Sequence, residues 1–283
     1  MEKLSSHLGL AQSFLFAPGN RPEFFSKALK SASPAIILDL EDSVPFDEKI
    51  SAREHIAQFL SQCSEVDHKR ILVRMNPIGS TFNREDMIFL KHLKNTFTVM
   101  IPKAESIAQL DFVSQELAQL KWIVPLIESV VGFDQARIIS QHPQCLRLAL
   151  GNIDMQEDFG MSCNQDEMEL LPVRFGIVFA SKLATIAPPI DGVTLDINNE
   201  ALLQTDTLRS KRLGFGAKLC IHPKQVEIVL KYFKPSENEI LNARRVIDAD
   251  KNSNGAAVQL DGKMVDRPVV LLAQRILRQS KLN

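Results

Sequence analysis

Five carboxylates and one arginine follow short apolar runs at the points where buried strands are expected to end. Buried parallel strands read as short, continuous apolar runs because both faces of the sheet are covered. Charges that follow such runs lie at the carboxyl ends of the strands, where parallel barrels build their active sites. The set therefore predicts a site for a divalent metal ion and an anionic substrate. Its members are Asp39, Glu41, Asp42, Arg74, Glu128 and Asp154.

Glu128 and Asp154 are the candidate metal ligands, because they follow consecutive predicted strands and should be neighbours across the barrel mouth. Two carboxylates can hold Mg²⁺ and leave coordination positions open for water and substrate. The alternative is that one or both cap the helix that follows, since acidic residues are favoured near helix N-termini. The further carboxylates of the Asp39–Asp42 segment favour the metal site, because five carboxylates would repel one another without a cation.

Arg74 follows the apolar run Ile71–Val73 and is expected to be largely buried. An unpaired buried arginine is costly, so a structural ion pair with one of the carboxylates is one interpretation. The other is that its planar guanidinium binds a substrate carboxylate or an enolate oxygen. Position alone favours the functional interpretation only slightly.

The segment 18–23 (PGNRPE) is predicted to be a strand-to-helix turn. Its free N–H groups, with Arg21 and Lys27 nearby, are suited to binding a phosphate. Such turns also occur simply to reverse the chain, and this alternative stays open.

Three other polar residues have ordinary structural explanations. Lys103 follows a proline and shows no sign of the desolvation that a Schiff-base lysine needs, so a solvated or ion-paired side chain is expected. His222 is expected to be a structural, hydrogen-bonded histidine at the end of the last strand. Asp266 precedes Arg267-Pro268, which favours a role as the N-cap of the last helix.

The apolar runs and the helical segments between them alternate as in repeated βαβ units, which predicts an α/β fold. Eight such units favour a closed (β/α)₈ TIM barrel over an open doubly wound sheet. The predicted strands are Ser13–Pro18, Ala35–Glu41, Arg70–Asn76, Phe97–Lys103, Trp122–Glu128, Cys145–Gly151, Ala184–Asp191 and Ala217–Pro223. The predicted helices include Pro22–Lys30, Glu48–Leu60, Ser106–Leu120, Ser129–Ser140 and Glu237–Ala249.

Residues 236–283 are predicted to form a C-terminal extension to a catalytic barrel of residues 1–235. A polar, turn-rich stretch over Asp250–Asp261 is followed by GKMVDRP and a helix from Val269 to about Ser280. This segment is too short for an independent domain. We expect a helical lid that covers the barrel mouth of its own or a neighbouring subunit.

Composition excludes several other classes of protein. With 283 residues, 45% hydrophobic content and a net charge of −1, the chain can bury a full core and has no excess of basic residues for nucleic acid or an anionic membrane. Its apolar runs are too short to span a bilayer, and a signal peptide is not expected. Four scattered cysteines without a C-x-x-C pair are typical of reduced thiols in the cytoplasm.

Taken together, eight motifs resemble the citrate lyase β-subunit-like family within the HpcH/HpaI aldolase/citrate lyase superfamily. The resemblance runs in order from about Ser13 to Leu277, and as a set the motifs are highly specific. Within that family, the motifs most resemble those of stand-alone malyl- and citramalyl-CoA lyases. The motifs are LFAPGNRPEFFSKAL, ILDLEDSV, VRMNP, PLIES, GNIDMQEDFG, PPIDGV, LGFGAKLCIHPKQV and LDGKMVDRPVV.

The resemblance implies a Mg²⁺-dependent carbon–carbon lyase that cleaves a 3-hydroxyacyl-CoA thioester of the citramalyl, malyl or citryl type. The products are acetyl-CoA and a 2-oxo acid. Members of the family are usually homotrimers or hexamers. The alternatives are a citrate lyase β subunit acting on acyl carrier protein thioesters, a metal-dependent aldolase acting on free 2-oxo acids, and a catalytically silent barrel serving as an assembly subunit.

The resemblance also implies a role for each matching residue. Glu128 and Asp154 match the metal ligands, and Glu128 also faces the substrate. Glu41 and Asp42 match holders of metal-bound water, and Arg74 matches the substrate-binding arginine. Arg21 and Lys27 match contacts to the coenzyme A phosphates. Asp266 matches an acid contributed to a neighbouring subunit's site, where it would protonate the thioester enolate, and this replaces the N-cap interpretation.

Two positions depart from the family pattern. Gln12 stands where an arginine is usual before the first strand, which puts one contact to the carrier or the substrate in doubt. Ala217 stands where glycine is common. Malyl, citramalyl and citryl groups differ only in packing within one pocket, so the acyl group stays open.

Overall fold

Eight short parallel strands close into a barrel, which confirms the predicted (β/α)₈ fold. The structure is a computed structural model that describes residues 2–252 and 256–280. Each strand pairs with its sequence neighbours, and β8 closes the barrel on β1. The strands are β1 (Ser13–Pro18), β2 (Ala35–Asp39), β3 (Ile71–Arg74), β4 (Phe97–Ile101), β5 (Leu120–Ile127), β6 (Ala149–Leu150), β7 (Ile190–Asp191) and β8 (Ala217–Cys220).

Helices follow the strands along the chain and alternate with them as the βαβ pattern requires. Two short helices precede β1, and single 3₁₀ turns at Phe46–Glu48 and Met168–Leu170 lead into longer helices. The helices of this part are α1 (Glu2–Ser5), α2 (His7–Leu10), α3 (Pro22–Lys30), α4 (Lys49–Gln62), α5 (Glu65–His68), α6 (Asn83–Lys91), α7 (Ile107–Glu116), α8 (Val130–Ile139), α9 (Asn152–Phe159), α10 (Leu171–Leu183), α11 (Glu200–Leu213) and α12 (Pro223–Phe233).

The barrel interior is filled by alternate residues of every strand. Phe14 of β1, Ile37 of β2 and Leu72 of β3 are fully buried members of one apolar cluster. Side chains of a strand point alternately to opposite faces, so the residues between them face the surrounding helices. The interior is therefore a packed apolar core, and polar chemistry is left to the strand ends.

Two predicted strands are much shorter than expected. The structure has only Ile190–Asp191 of the predicted Ala184–Asp191, because Pro188 and Pro189 have no N–H to donate to a ladder. Only Ala149–Leu150 of the predicted Cys145–Gly151 is continuous strand, although Cys145 makes an isolated bridge to Ile123. The apolar run was read correctly as buried, but burial does not require regular pairing.

Helix α7 begins where the sequence predicted and ends earlier than predicted. Ser106 caps its N-terminus and forms a capping box with Gln109, as the sequence predicted for the serine. The helix ends at Glu116 rather than Leu120, and Leu120 is the first residue of β5.

The chain divides into two compact units, Met1–Val229 and Leu230–Asn283, with the division inside α12. The second unit contains α13 (Glu237–Asn252), a hairpin of β9 (Val258–Leu260) and β10 (Lys263–Val265), and α14 (Arg267–Gln279). A small apolar core holds it together. That core consists of Ala243, Val246, Val265, Val270 and Ala273.

The hairpin was not predicted. The sequence indicated a turn-rich stretch over Asp250–Asp261, but α13 extends to Asn252, residues 253–255 lie outside the described residues, and β9 begins at Val258. The lid function predicted for residues 236–283 stays a prediction. Within the described residues, no helix has both the length and the apolar character that crossing a membrane would require.

Candidate active site

Arg74, the last residue of β3, makes a two-point ion pair with Asp39, the last residue of β2. Its Nε lies 2.6 Å from Asp39 Oδ1, and its Nη2 lies 2.7 Å from Oδ2. The register of the two parallel strands places these residues side by side. Both are buried, and the guanidinium also stacks over the ring of Phe16 at 4.8 Å. The ion pair that the sequence left as one interpretation is therefore present, and it fixes the direction of the Arg74 side chain.

The third nitrogen of Arg74, Nη1, points to the two acidic residues that follow β2. It lies 2.7 Å from Glu41 Oε2 and 3.5 Å from Asp42 Oδ2. Glu41 is buried and Asp42 is exposed. The contact to Glu41 is an ion pair without hydrogen-bond alignment, so the buried Oε2 has no hydrogen-bond donor.

Burial raises the pKa of Glu41 to about 8, although Arg74 opposes this shift, and the charges of Asp42 and Glu128 add to it. Buried carboxylates that repel one another in this way hold protons near neutral pH, or else need a cation. The region is thus short of positive charge despite the presence of Arg74.

Glu128 directly follows β5 and is also buried. Its Oε1 accepts a hydrogen bond of 2.7 Å from the backbone N–H of Lys103. Lys103 has φ of 46°, a left-handed conformation that is unusual for a residue other than glycine. Burial raises the pKa of Glu128 to about 7, while the Lys103 hydrogen bond lowers it and the charge of Asp154 raises it.

Asp154 lies in the first turn of α9, the helix that follows β6. Its charge acts on Glu128, so the two predicted metal ligands are electrostatic neighbours, as their strand positions required. Neither is a helix N-cap: Ser129 caps α8 and Gly151 precedes α9. Among the described residues no three His, Cys, Asp or Glu side chains gather as a closed metal cage. A pair of carboxylates with open coordination positions suits Mg²⁺, which keeps several waters.

A set of buried polar residues supports the acidic segment, and sequence reasoning missed it. Lys49 of α4 donates to the carbonyl oxygens of Leu40 and Glu41 at 2.7 and 2.8 Å and to Asn76 Oδ1 at 2.9 Å. Asn76 is in turn held by Asp86 of α6. The VRMNP motif contains Asn76 and could have indicated it, but nothing local marks Lys49.

Arg21 is the N-cap residue that precedes α3 and Lys27 lies within the helix, both with exposed side chains. Arg21 pairs with Glu23 at 2.6 Å, and the Arg21 guanidinium and the Lys27 ammonium lie 4.8 and 5.4 Å from the centroid of the Phe24 ring. They form a small cationic patch after β1. Its contact with coenzyme A stays a prediction.

Asp266 belongs to the second unit, where it caps α14. Its Oδ1 accepts a hydrogen bond of 3.3 Å from the N–H of Val269. The cap that the residues first suggested is therefore present, while the catalytic role implied by the resemblance stays a prediction. A capping carboxylate keeps a second oxygen for another contact, so the two interpretations are compatible.

The structure thus brings all six predicted residues to one end of the barrel. They act on one another through contacts or charge, and they are Asp39, Glu41, Asp42, Arg74, Glu128 and Asp154.

Lys103 and His222, for which the sequence analysis expected only structural roles, do not contribute side chains to this group. The Lys103 side chain is exposed, and His222 accepts from the N–H of Lys224 through its Nδ1.

Comparison with known proteins places this arrangement in context. The family model described as HpcH/HpaI aldolase/citrate lyase matches residues 12–223. A citrate lyase subunit beta-like protein of Deinococcus radiodurans is 31% identical over 278 residues, covering 95% of this chain and 96% of the relative. A (3S)-malyl-CoA thioesterase of Cereibacter sphaeroides is 29% identical over 274 residues, covering 95% and 94%.

Among solved structures, this fold is similar to protein CitE from Mycobacterium tuberculosis in complex with magnesium, acetoacetate and coenzyme A. The TM-score is 0.86 at 31% identity, and the match covers 96% of this chain and 99% of the other.

Proposed function

Since the chain belongs to the HpcH/HpaI aldolase/citrate lyase family, we propose that it is a Mg²⁺-dependent carbon–carbon lyase that cleaves a 3-hydroxyacyl-CoA thioester. The products are acetyl-CoA and a 2-oxo acid. The observation that carries the proposal is the buried carboxylate of Glu128, under repulsion from Asp154 and beside the fixed guanidinium of Arg74. The proposal is supported by a relative named for malyl-CoA and by a similar structure that holds magnesium and coenzyme A.

The residues present fit a magnesium ion. Glu128 and Asp154 would hold it directly, and Glu41 and Asp42 would hold the water around it. Burial is the main cause of the raised pKa values of Glu41 and Glu128, and the repulsion from neighbouring carboxylates that adds to both shifts is what a divalent cation relieves. When bound, Mg²⁺ supplies Lewis acidity toward the oxygens of the 2-oxo acid half of the substrate.

Arg74 binds and orients the anionic part of the substrate through Nη1. Its other two nitrogens, Nε and Nη2, each donate a hydrogen bond to Asp39, so the side of the guanidinium that carries Nη1 has one fixed direction. A fixed donor that needs no reorganisation stabilises negative charge that develops as the carbon–carbon bond breaks. The buried surroundings strengthen this interaction relative to water.

We assign to Asp266 the donation of a proton to the enolate carbon of the thioester, which completes acetyl-CoA. We place it in the site of a neighbouring subunit, which makes the functional enzyme a homotrimer or a hexamer. Arg21 and Lys27 are assigned to the coenzyme A phosphates, whose charge suits an exposed cationic patch. The cytoplasmic location stays a prediction.

The experiment that tests the function measures acetyl-CoA release from malyl-, citramalyl- and citryl-CoA, with Mg²⁺ and with EDTA. We expect Mg²⁺-dependent cleavage of one thioester by the wild type and loss of it in Glu128→Gln. Glu157→Gln is the matched control, because Glu157 is an exposed carboxylate on α9.

Free coenzyme A is followed in the same assay, because one relative is named a thioesterase. Release of free coenzyme A without acetyl-CoA would replace the lyase by a thioester hydrolase. If well-folded protein turns over none of these thioesters, acyl carrier protein thioesters are tested next, and free 2-oxo acids after them.

A further inference from the structure

A second buried network of charges contacts α9, the helix that carries Asp154, and the proposed chemistry does not use it. It contains three cations and three carboxylates, joined across α10, α11, β7, β8 and the segment before α10. Its members are Arg174, Arg209, Lys218, Glu167, Asp191 and Asp206. The three positive charges balance the three negative charges, so the network needs no additional ion.

Glu167 is the member that connects this network to α9. Its Oε1 accepts hydrogen bonds from Asn152 Nδ2 at 2.9 Å and from Gln156 Nε2 at 3.4 Å, both on α9. Its Oε2 pairs with Arg174 and, at 3.2 Å, with Arg209. One carboxylate therefore ties the first turn of α9 to two arginines on two other helices.

The backbone of Glu167 is held in an unusual conformation. Its φ and ψ are 45° and 41°, in the left-handed region that favours glycine. The carbonyl oxygen accepts from Arg174 Nη1 at 3.3 Å, so the same arginine holds both ends of the residue. Strained backbone of this kind persists only where the surroundings over-determine it.

Asn152 fixes the other side of the same turn. It is buried, and its amide makes two bonds to the backbone of Val193 after β7, accepting from the N–H at 2.8 Å and donating to the carbonyl at 3.1 Å. Asn152 is the first residue of α9, and Asp154 is the third. The turn of α9 that carries Asp154 is therefore held between Glu167 and the segment that follows β7.

We propose that Glu167 is a positioning residue which, through Asn152, holds Asp154 in place to bind the metal ion. The inference rests on the proposed function, in which Asp154 is a ligand of Mg²⁺. Outer partners of metal ligands commonly change metal affinity by about 10- to 100-fold when they are removed. Because Glu167 acts one residue further out, we expect the lower end of that range.

The test measures Mg²⁺ affinity by calorimetry on the full-length protein, with thermal unfolding in EDTA recorded for each variant. Glu167→Gln is expected to bind Mg²⁺ about tenfold more weakly than the wild type. Glu157→Gln, which removes an equal charge three residues after Asp154, is expected to bind within about twofold. Lower thermal stability with unchanged Mg²⁺ affinity would show a merely structural role and overturn the inference.

Asn152→Ala is the second variant, because it breaks the same contact and leaves the arginine pairs of Glu167 intact. Because Asn152 also bonds to the Val193 backbone, this variant is expected to lose stability as well as Mg²⁺ affinity. The loss of Mg²⁺ affinity in the double variant is expected to be less than additive, since both changes remove the contact between Glu167 and Asn152. Wild-type affinity in Asn152→Ala, or full additivity, overturns the inference.

The two possible failures are distinguishable. Normal Mg²⁺ binding by the wild type and by both variants overturns the inference alone. Absence of Mg²⁺ binding by the wild type overturns the proposed function and the inference with it.

Discussion

At the scale of single residues, Arg74 divides its donors between two tasks. Nε and Nη2 are bound to Asp39, while Nη1 faces Glu41 and Asp42. An arginine can do this because its guanidinium is planar and its donors are fixed in direction. A lysine carries its three donors on one compact ammonium at the end of a flexible stem, so it lacks the planar fork that holds Asp39 at two points while a further donor stays directed at the site.

Arg74→Lys is therefore expected to keep the net charge and lose about 100-fold in kcat/KM, the size of effect seen when one fixed donor is removed from a developing negative charge. Arg70→Lys is the matched control, because Arg70 lies at the other end of the same strand region and its side chain pairs with Asp67 and donates to the backbone carbonyl of Ser33. The measurement is acetyl-CoA release at several substrate concentrations. Equal losses in the two variants would contradict the special role of Arg74.

The pKa of Glu128 predicts how metal binding depends on pH. Burial is the main cause that raises the pKa of Glu128 to about 7. The charge of Asp154 adds to this shift, and the hydrogen bond from the Lys103 N–H opposes it. In the metal-free protein, the stability contributed by the proton on Glu128 is present below its ordinary pKa of 4.5 and is lost as pH rises through about 7. Mg²⁺ needs the carboxylate, so it competes with that proton below pH 7.

We accordingly expect Mg²⁺ affinity to fall by up to about tenfold for each pH unit below 7 and to level off above it. The rise in melting temperature produced by a fixed Mg²⁺ concentration should be larger at pH 8 than at pH 6. Sodium chloride of equal ionic strength controls for screening. A shift of the same size at both pH values, or a persistent shift in Glu128→Gln, would rule out Glu128 as the titrating ligand.

Part of the site was predictable at this scale and part was not. Arg74, Glu128 and Asp154 were found because each follows an apolar run, and chain position alone then puts them at one barrel end. Lys49 was missed, although it donates to two carbonyl oxygens of the acidic segment and to Asn76. Its contacts depend on where α4 packs, and no local pattern records that.

At the scale of elements, the strand ends are packed so closely that one of them requires glycine. A Cβ added to Gly151, after β6, would lie 2.5 Å from Glu128 Oε2 and 2.6 Å from Glu128 Cβ. Real Cβ atoms do not approach other atoms this closely, so any side chain there displaces Glu128. The φ of Gly151 is −92°, which shows that close approach, and not backbone conformation, is the constraint.

Gly151→Ala is expected to weaken Mg²⁺ binding at least tenfold while costing about 1–3 kcal/mol of stability, as overpacked positions do. Gly160→Ala is the control: a Cβ there meets nothing within 4 Å, but φ is 65°. It should cost about 1 kcal/mol and leave Mg²⁺ affinity unchanged. Calorimetric titration and thermal unfolding of both variants check this, and wild-type affinity in Gly151→Ala would contradict the packing account.

The secondary-structure elements also show which parts of the fold can be predicted from the sequence pattern. The barrel was predictable because eight apolar runs alternate with helical segments. The β9–β10 hairpin was not, since its strands have only three residues each and carry no continuous apolar run. Its turn, Asp261-Gly262, has φ of 51° and 76°, as a two-residue hairpin turn requires, and the Asp-Gly pair was a signal that could have found it.

At the scale of the whole molecule, the proposed residues are divided between the two compact units. The metal pair and Arg74 belong to Met1–Val229, and Asp266 belongs to Leu230–Asn283. In the second unit, Asp266 caps α14 through one oxygen. If Asp266 serves a neighbouring subunit, each active site needs two chains, and a chain that lacks one half can still supply the other.

Mixing two inactive variants tests this directly. Glu128→Gln chains lack the metal pair but keep Asp266, and Asp266→Asn chains have the reverse defect. Co-expressed in equal amounts with different affinity tags, they should form mixed oligomers that combine both intact halves in about one site of three for a trimer and about one site of four for a hexamer. We expect about a quarter to a third of the wild-type specific activity from doubly tagged material and almost none from either variant alone. Mixed oligomers without activity would place Asp266 in the site of its own chain, because that arrangement leaves every mixed site defective, and full activity of Asp266→Asn alone would place Asp266 outside the chemistry.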